Sequence, residues 1–264
     1  MPSQQVKLKV RKWGSVGFIL GVFIIGALLE IIQISMLPIL LLAVSFLAFL
    51  WSFSIKEPEH APSSQKKLES ILPILKRPTV AAFFAIEFVL LFSQAPFYSF
   101  YSNFLKEIGF STTQIGTLWA TGVIAEIIMF AIAQKVFFTR FSWRTLVAVC
   151  LILTSLRWFL VSILNTHFLG QLFAQCLHAF SFGLFHLIAM KVIFQNFSAE
   201  QQGRGQALYS TMWGLGVASG SLLAGHYWQV FSGATIFLYA SGIVLIGLFL
   251  VFWLPNQLET AAKT

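Results

Sequence analysis

The chain has 264 residues, of which 58% are hydrophobic and only 10% are charged, and its mean hydropathy is +0.82. A chain with this few polar residues cannot cover the surface of a water-soluble globule. The composition therefore indicates a polytopic membrane protein. The net charge of +8 does not indicate nucleic-acid binding, because the basic residues cluster between apolar runs, as in loops that face an anionic inner leaflet.

Eight apolar runs are long enough to cross a bilayer as helices, and they lack the strict polar alternation that would favour strands. The basic start, VKLKVRKW, resembles a signal peptide, but we interpret the long run after it as a spanning helix because no small-residue cleavage site follows. We therefore predict an all-α membrane protein with eight transmembrane helices: Gly14–Gln33, Met36–Ile55, Pro78–Leu105, Ile115–Phe137, Thr145–Leu164, Phe168–Phe194, Ala207–Gln229 and Ala234–Leu254.

The basic residues also predict the orientation. With these spans, fifteen lysines and arginines fall on one side of the membrane, whereas the other side carries only Lys106. The positive-inside rule then places both termini in the cytoplasm of a multi-pass protein of the inner cell membrane. The stretch 57–70 is rich in proline, serine and charge and predicts a cytoplasmic linker. The predicted segments are 1–55 with two helices, a central cytoplasmic loop at 56–77, a six-helix half at 78–255 and a cytoplasmic tail at 256–264.

The first and seventh runs share a Trp-Gly pair followed by spaced glycines. The matching residues are Trp13, Gly14, Gly17, Gly21 and Gly26 in the first run, and Trp213, Gly214, Gly216, Gly220 and Gly225 in the seventh. Glycines four apart also let a neighbouring backbone approach, so plain helix packing is the alternative interpretation. As a repeat, the pattern makes the first run the fifth helix of a first copy. We then expect four further helices upstream, with Met1 an internal or displaced start and 1–55 the last two helices of an N-terminal half.

A full charge lies inside the fifth run. Arg157 is about 20 Å above Arg144 by helical rise, well within a hydrocarbon layer of about 30 Å. Arginine at that depth costs from about 3 to more than 10 kcal/mol unless it faces a partner or a watery cavity. Glu126, His178 and Glu87 on neighbouring runs reach a similar depth, so we predict a polar centre built from these side chains.

The same helical faces carry further polar residues, with Gln94 and Tyr98 following Glu87, and Gln175 and His186 flanking His178. Such stripes can simply join helices through hydrogen bonds, and Glu30 near the end of its run is interpreted as an interface residue. Ionisable groups inside a membrane nevertheless favour a functional role. The predicted substrate- or proton-binding residues are Glu126, Arg157, His178, Glu87, Gln94, Tyr98, Gln175 and His186.

These groups suit a proton-coupled carrier. Breaking and remaking a contact between Glu126 and Arg157 would release and capture a proton, and an imidazole could relay it or bind a substrate. The sequence has no hydrolytic triad, phosphate-binding glycine loop or metal-ligand spacing, and Cys150 and Cys176 fall inside apolar runs. We therefore predict that the protein is not an enzyme and needs no cofactor or metal. The aromatic residues expected to wall an apolar or ring-shaped substrate are Tyr98, Tyr101, Phe97 and Phe100.

Four stretches carry the motifs of a known family: KWGSVGFILG, then PFYSFYSNFLKEIGFSTTQIGTLWATGVIAEI, then LHAFSFGLFHLIAMKVIF, and last GRGQALYSTMWGLGVASGSLLAG. Together they resemble the major facilitator superfamily, and within it the phenylpropionate-permease-like branch related to lactose permease and nucleoside–proton symporters. The resemblance covers nearly the whole chain and matches helices five to twelve of a twelve-helix carrier. It therefore implies a partial major facilitator fold with a complete C-terminal six-helix bundle.

The resemblance also implies function: alternating access between two six-helix halves, and proton symport of a small solute from a central cavity. In the lactose permease group a Glu, an Arg and a His on successive helices couple protons to substrate, and these roles fall on Glu126, Arg157 and His178. Two departures are present. The group's acid one turn after that His is Ser181 here, so the proton site falls on Glu126 or Glu87, or coupling is lost. The loop Ala133–Arg144 lacks the Asp of the superfamily's Gly-x-x-x-Asp-Arg motif, which loosens a conformational latch.

Two hypotheses of function follow. In the first, the chain is part of a secondary transporter that moves an organic or aromatic acid, a sugar or a nucleoside with protons. In the second, it is a truncated non-transporting membrane protein or a partner-dependent subunit. The expected partners are the lipid bilayer, a small-molecule substrate with a proton, and the missing N-terminal four-helix segment, but not nucleic acid. Reading the DNA upstream of Met1 for four further apolar runs discriminates between the two hypotheses.

Overall fold

The computed structural model describes residues 34–54 and 69–256 of the chain. The chain forms two compact units, Met1–Lys66 and Lys67–Thr264. The predicted span Gly14–Gln33 with its glycines and Glu30, most of the predicted linker 57–70, and the tail from residue 257 lie outside the described residues.

In the first unit, the described part is a single apolar helix, α1 (Leu37–Ser52), which follows a 3₁₀ turn at Ile34–Met36. Pro38 lies in its first turn, where a backbone N–H would have no helical partner. Its 16 residues span about 24 Å. The helix is therefore shorter than the predicted span Met36–Ile55, and its large apolar side chains, such as Leu42 and Trp51, are exposed.

In the second unit, the described residues form helices, turns and loops, without strands. Three of these elements, α6 (Phe168–Cys176), a π-helical segment (Ala179–Leu184) and α7 (Phe185–Asn196), follow one another in the single span Phe168–Asn196. The elements are α2 (Leu72–Leu75), α3 (Pro78–Glu107), α4 (Thr112–Val136), α5 (Trp143–Ile163), α6 (Phe168–Cys176), the π-segment (Ala179–Leu184), α7 (Phe185–Asn196), α8 (Gln202–Tyr227) and α9 (Gly233–Val251).

Five described helices are long and apolar enough to cross a membrane: Pro78–Glu107, Thr112–Val136, Trp143–Ile163, Phe168–Asn196 and Gly233–Val251. Helix α8 has 26 residues but is less apolar, because it is rich in glycine and serine. The predicted all-helical membrane fold is therefore confirmed, whereas the count of eight spans stays a prediction.

Serine caps fix where several helices begin. The Ser111 hydroxyl accepts a hydrogen bond from the Gln114 backbone N–H, and the Gln114 side chain accepts one from the Ser111 N–H. This capping box starts α4 at Thr112 rather than at the predicted Ile115. Ser142 and Ser232 cap α5 and α9 through the backbone N–H groups of Thr145 and Thr235.

Helix α3 packs against α8 and α9, and α5 packs against α9. The contact between α3 and α8 depends on two glycines. A methyl group at Gly216 would lie 2.9 Å from the Leu91 Cβ, and one at Gly220 would lie 2.6 Å from the Ala95 Cβ. Larger residues at either position would push the helices apart. The packing interpretation of the seventh run's glycines therefore holds at these two positions, whereas a methyl at Gly214 would meet nothing within 4 Å.

On the side of the bundle where α3 begins, at Pro78, basic side chains from other helices bind uncharged partners. Arg144 at the start of α5 donates from Nε to the Val251 carbonyl, 3.2 Å away, and from Nη2 to the Phe252 carbonyl. Lys191 on α7 donates to the Gln134 side chain on α4 at 3.0 Å, and its Nζ lies 3.7 Å from the centre of the Phe138 ring. Arg144 thus complements the negative end of the α9 dipole.

The core has two apolar clusters with a polar layer between them. One cluster contains Phe83, Leu151 and Phe185, and the other contains Trp158 and Phe237. On α3, the first cluster ends at Leu90 and the second begins at Phe97, with Ser93 and Gln94 buried between them. We refer to the buried polar residues at this level as the polar layer: Ser93, Gln94, Thr154, Arg157, Gln175, His178 and Ser181.

Candidate functional site

Arg157 lies at the centre of the polar layer and is fully buried. Its Nη1 lies 2.9 Å from the His178 Nδ1 and donates to the Ser181 Oγ at 2.9 Å, while Nη2 donates to the Gln175 Oε1 at 2.8 Å. The guanidinium carbon lies 4.2 Å from the centre of the Phe97 ring, close enough for a cation–π interaction. Within the described residues, its Nε–H has no acceptor.

His178 stands between Arg157 and Glu126. Its Nδ1 faces the guanidinium, and its Nε2 lies 3.8 Å from the Glu126 Oε2. Among the described residues, no carboxylate lies within ion-pairing distance of Arg157. The predicted contact between Glu126 and Arg157 is therefore indirect in this structure and runs through the imidazole.

The π-segment produces this arrangement. It begins directly after His178 and contains Ser181, which meets Arg157 through its hydroxyl and accepts a bond from the Gln94 Nε2 at its carbonyl, 2.9 Å away. A π-turn adds a residue to the helix and frequently occurs at functional sites. The family resemblance expects an acid at position 181. In this chain the residue is Ser181, and its hydroxyl faces the guanidinium.

The buried glutamines differ in how completely they are bonded. Gln171 accepts from the Tyr101 hydroxyl at 2.9 Å and donates to the carbonyls of Val161 and Leu164 at 3.1 Å each, so it joins helices. Gln175 accepts from Arg157, but in the described structure its Nε2 donates to nothing. A buried amide donor without an acceptor is costly, so Gln175 is the unusual member of the pair.

An aromatic cluster extends from Phe97, the ring that contacts the guanidinium. The Phe97 ring lies 4.5 Å from Trp119 and 5.5 Å from Tyr98 between ring centres, and Tyr98 lies 5.7 Å from Trp213. Tyr98, Trp119 and Trp213 are half-buried. Of the four predicted wall residues, Phe100 is elsewhere, stacked on Trp228 at 4.7 Å. Trp119 on α4 and Trp213 on α8 lie in the cluster instead of Phe100. Their positions follow from helix packing and not from spacing along α3.

Glu87 lies apart from these contacts. It is fully buried on α3 within the range of the first apolar cluster, and both carboxyl oxygens lack a hydrogen-bond partner in the described structure. Burial of a carboxyl group without hydrogen bonds is costly, so Glu87 is an unusual residue of this helix. Gln94 and Tyr98 on the same helix are linked to each other at 3.4 Å, so the predicted stripe divides into two parts.

His186 belongs to a ring stack that starts at His178. Phe182 stacks on His178 with ring centres 5.5 Å apart and on His186 with centres 5.7 Å apart. His186 Nδ1 lies 3.0 Å from the hydroxyl of Tyr209 on α8. The structure thus places His186 one ring away from the polar layer rather than within it.

A separate groove of about 520 Å³ lies between α3, α8 and α9. Its lining is almost entirely apolar and includes Phe92, Leu223, Ile243 and Ile246. None of the lining residues is a predicted site residue, and Ser93 alone among them belongs to the polar layer.

Comparison with known proteins agrees with this architecture. A family model described as the MFS_1 like family matches residues 8–239. The chain is also 29% identical over 252 residues to a protein named "Probable 3-phenylpropionic acid transporter" from Escherichia coli (strain K12), and the match covers 92% of this chain and 64% of that protein. The chain thus spans somewhat less than two thirds of this relative's length.

Both similarities are to membrane transport proteins and not to enzymes, as the sequence predicted. The match to the family model covers most of the chain, and the relative's name agrees with the resemblance carried by the sequence motifs. The chain therefore belongs to the MFS_1 like family of the major facilitator superfamily.

Proposed function

We propose that the chain forms the last eight helices of a twelve-helix carrier that takes up a small organic acid together with protons by alternating access. The observation that carries this proposal is the series of contacts from Glu126 through His178 to Arg157 at mid-depth in the bundle. Eight of twelve helices also agree with the 64% of the relative's length that the match covers.

In this proposal, Glu126 is the residue that exchanges a proton with solvent. Its side chain is 19% exposed, whereas Arg157 is fully buried. Because His178 Nδ1 accepts from the guanidinium, the neutral imidazole carries its proton on Nε2, which faces the Glu126 carboxylate. A proton on Glu126 therefore changes how the imidazole and Arg157 are held. Glu87 is a second candidate because it is buried without a hydrogen-bond partner in the described structure.

The organisation in the membrane is also part of the proposal. Residues 1–55 contribute the last two helices of the N-terminal half, 56–77 the central cytoplasmic loop, 78–255 the C-terminal six-helix half and 256–264 the tail, with both termini in the cytoplasm of the inner-membrane protein. The name of the E. coli relative makes 3-phenylpropionate the first solute to test, ahead of sugars and nucleosides.

Uptake of radiolabelled 3-phenylpropionate into proteoliposomes with an imposed proton gradient tests this function. We expect Glu126→Gln to abolish gradient-driven uptake with little effect on folding, because the amide has the same shape and the position is partly exposed. Glu107→Gln, at the exposed end of α3, is the matched control and should transport normally. Gradient-driven uptake by Glu126→Gln at the wild-type rate would contradict the assigned proton role.

The same assay separates the two hypotheses of function. It is run on the chain alone and on the chain co-expressed with the part of the E. coli relative outside the matched region. Uptake only after co-expression would support a partner-dependent subunit. If neither preparation takes up any of the three solute classes, the transport proposal is wrong.

A further inference from the structure

We propose that Arg157 and Gln175 form the subsite for a carboxylate on the transported solute, and that the half-buried rings of Tyr98, Trp119 and Trp213 take an aromatic ring attached to it. This inference rests on the proposed function in so far as it concerns a transported solute. The binding itself does not depend on transport.

The first argument is electrostatic. A fully buried guanidinium normally faces an acid, yet the three polar partners of Arg157 in the described structure are His178, Ser181 and Gln175. The Glu126 carboxylate lies beside the imidazole instead, 3.8 Å from the His178 Nε2. A buried charge held by neutral groups is poorly compensated, so an anionic ligand gains energy there that a neutral ligand does not.

The second argument is the geometry of the guanidinium. Carboxylates bind arginine side-on through Nε and one terminal nitrogen. On Arg157, Nη2 is taken by the Gln175 Oε1 at 2.8 Å, and in the described structure Nε is unused. The Gln175 carbonyl thus occupies the position of one carboxylate oxygen. The position of the second carboxylate oxygen, next to Nε, holds no acceptor from the described residues.

The third argument concerns Gln175 itself. Its Nε2 has no acceptor among the described residues, so rotation of the amide away from Arg157 loses one hydrogen bond and allows Nε2 to donate to the incoming carboxylate. Gly122 on α4 leaves room for this movement, because a methyl group there would lie only 3.3 Å from the Gln175 Oε1 and 3.6 Å from the His178 Cβ.

The aromatic part of the ligand follows from the surroundings. The ring centres of Phe97 and Trp158 lie 4.2 Å and 4.4 Å from the guanidinium carbon. Beyond Phe97, Trp119 and Tyr98 offer half-buried ring surface. A ring joined to the carboxylate by a short chain can stack there while its anion binds Arg157. The chemical class is therefore an aryl carboxylate.

Equilibrium binding to the full chain in nanodiscs of uncharged lipid tests this subsite without any gradient. The probes are 3-phenylpropionate and its neutral isostere 3-phenylpropionamide, and isothermal titration calorimetry measures the binding of each. We expect saturable binding of the acid, and binding of the amide weaker by at least about tenfold, because the amide lacks the charge. Equal affinity of the two probes would overturn the proposal.

Two substitutions at one position separate charge from packing. Gln175→Glu places an internal carboxylate on Arg157, and we expect it to weaken binding of the acid by at least about 100-fold while the protein stays folded. Gln175→Met removes one neutral hydrogen bond and should remain within about tenfold of wild type. Gln195→Glu, on the exposed part of α7, is the matched control for added charge and should bind normally.

The outcomes also separate this inference from the proposed function. Normal binding of the acid by Gln175→Glu, or equal losses in both variants at position 175, would overturn the carboxylate subsite. Proton-driven uptake of a neutral solute, without binding of the acid, would overturn the subsite and leave the transport function standing. Selective binding of the acid without uptake of any solute would support the subsite and overturn the transport function.

Discussion

At the level of single residues, the arrangement around Arg157 links stability to chemistry. The guanidinium satisfies three buried acceptors on the span Phe168–Asn196: a ring nitrogen, a hydroxyl and an amide oxygen. Each acceptor belongs to a different residue, so one side chain on α5 fixes the orientation of three. The guanidinium divides these contacts between two nitrogens held in one plane, Nη1 and Nη2, whereas a lysine ammonium would make them all from a single nitrogen.

Arg157→Ala should therefore destabilise the bundle, because it leaves buried acceptors without a donor and a cavity in the polar layer. We expect the free energy of unfolding to fall by about 2–5 kcal/mol. Thermal unfolding in detergent, followed by tryptophan fluorescence, measures the change. Arg140→Ala, on an exposed turn, is the control and should unfold at the wild-type temperature. An unchanged unfolding temperature for Arg157→Ala would show that these bonds contribute nothing to folding.

At the level of helices, two devices position the site. The π-segment sets the rotation of the span before and after it, so that His178 and Ser181 both reach Arg157. The glycines of α8 allow α3 to lie close beside it, which fixes the helix that carries Gln94 and Phe97. Neither device involves a charged residue.

Substitution at the two kinds of glycine in α8 tests the second device. Gly220→Ala should lower the free energy of unfolding by about 1–3 kcal/mol, because the new methyl group overlaps Ala95 and the Phe92 carbonyl. Gly214→Ala is the matched control: it meets nothing within 4 Å and removes a helix-weakening glycine, so it should be neutral or slightly stabilising. Thermal unfolding of the two variants side by side gives the comparison. Equal behaviour would mean that α3 and α8 do not depend on this close contact.

At the level of the whole molecule, the distribution of charge predicts how the bundle sits in the membrane. Helix α3 starts next to Lys76 and Arg77 and ends at Lys106 and Glu107, so the positive-inside rule places its first end in the cytoplasm. The turn between α4 and α5, with Arg140, then lies on the same side as the start of α3.

Cysteine labelling checks this orientation. In a chain with Cys150→Ala and Cys176→Ala, we expect Glu107→Cys to react with a membrane-impermeant maleimide from outside intact cells, whereas Arg140→Cys should react only after lysis. Both positions are exposed, so differences in burial do not account for the contrast. The reverse pattern would invert the predicted topology.

The sequence predicts the helices of the second unit well, because length and hydropathy alone define a membrane-spanning segment. Pro78–Leu105 and Ala234–Leu254, for example, correspond to helices Pro78–Glu107 and Gly233–Val251. The depth of Glu126, Arg157 and His178 also follows from helical rise. What the sequence does not provide is the rotation of each helix about its axis.

Rotation explains the differences at the candidate site. A single π-turn near Gly183 reorients half of a span, and no residue pattern within AFSFGL announces it. Opposite charges suggested a direct contact of Glu126 with Arg157, but helix rotation places His178 between them. In the same way, proximity along α3 suggested Phe100 for the aromatic wall, whereas Trp119 from another helix lies there.

The polar layer has one further consequence, which concerns the order of events in time. Side-chain exposure falls from 19% at Glu126 to 10% at His178, and Arg157 has none. This gradient of exposure predicts that a solvent proton reaches the carboxylate before it influences the imidazole, and that the guanidinium responds last. In heavy water, deuterium should therefore reach Glu126 first and His178 next. The guanidinium protons of Arg157 should be the slowest of the three to exchange.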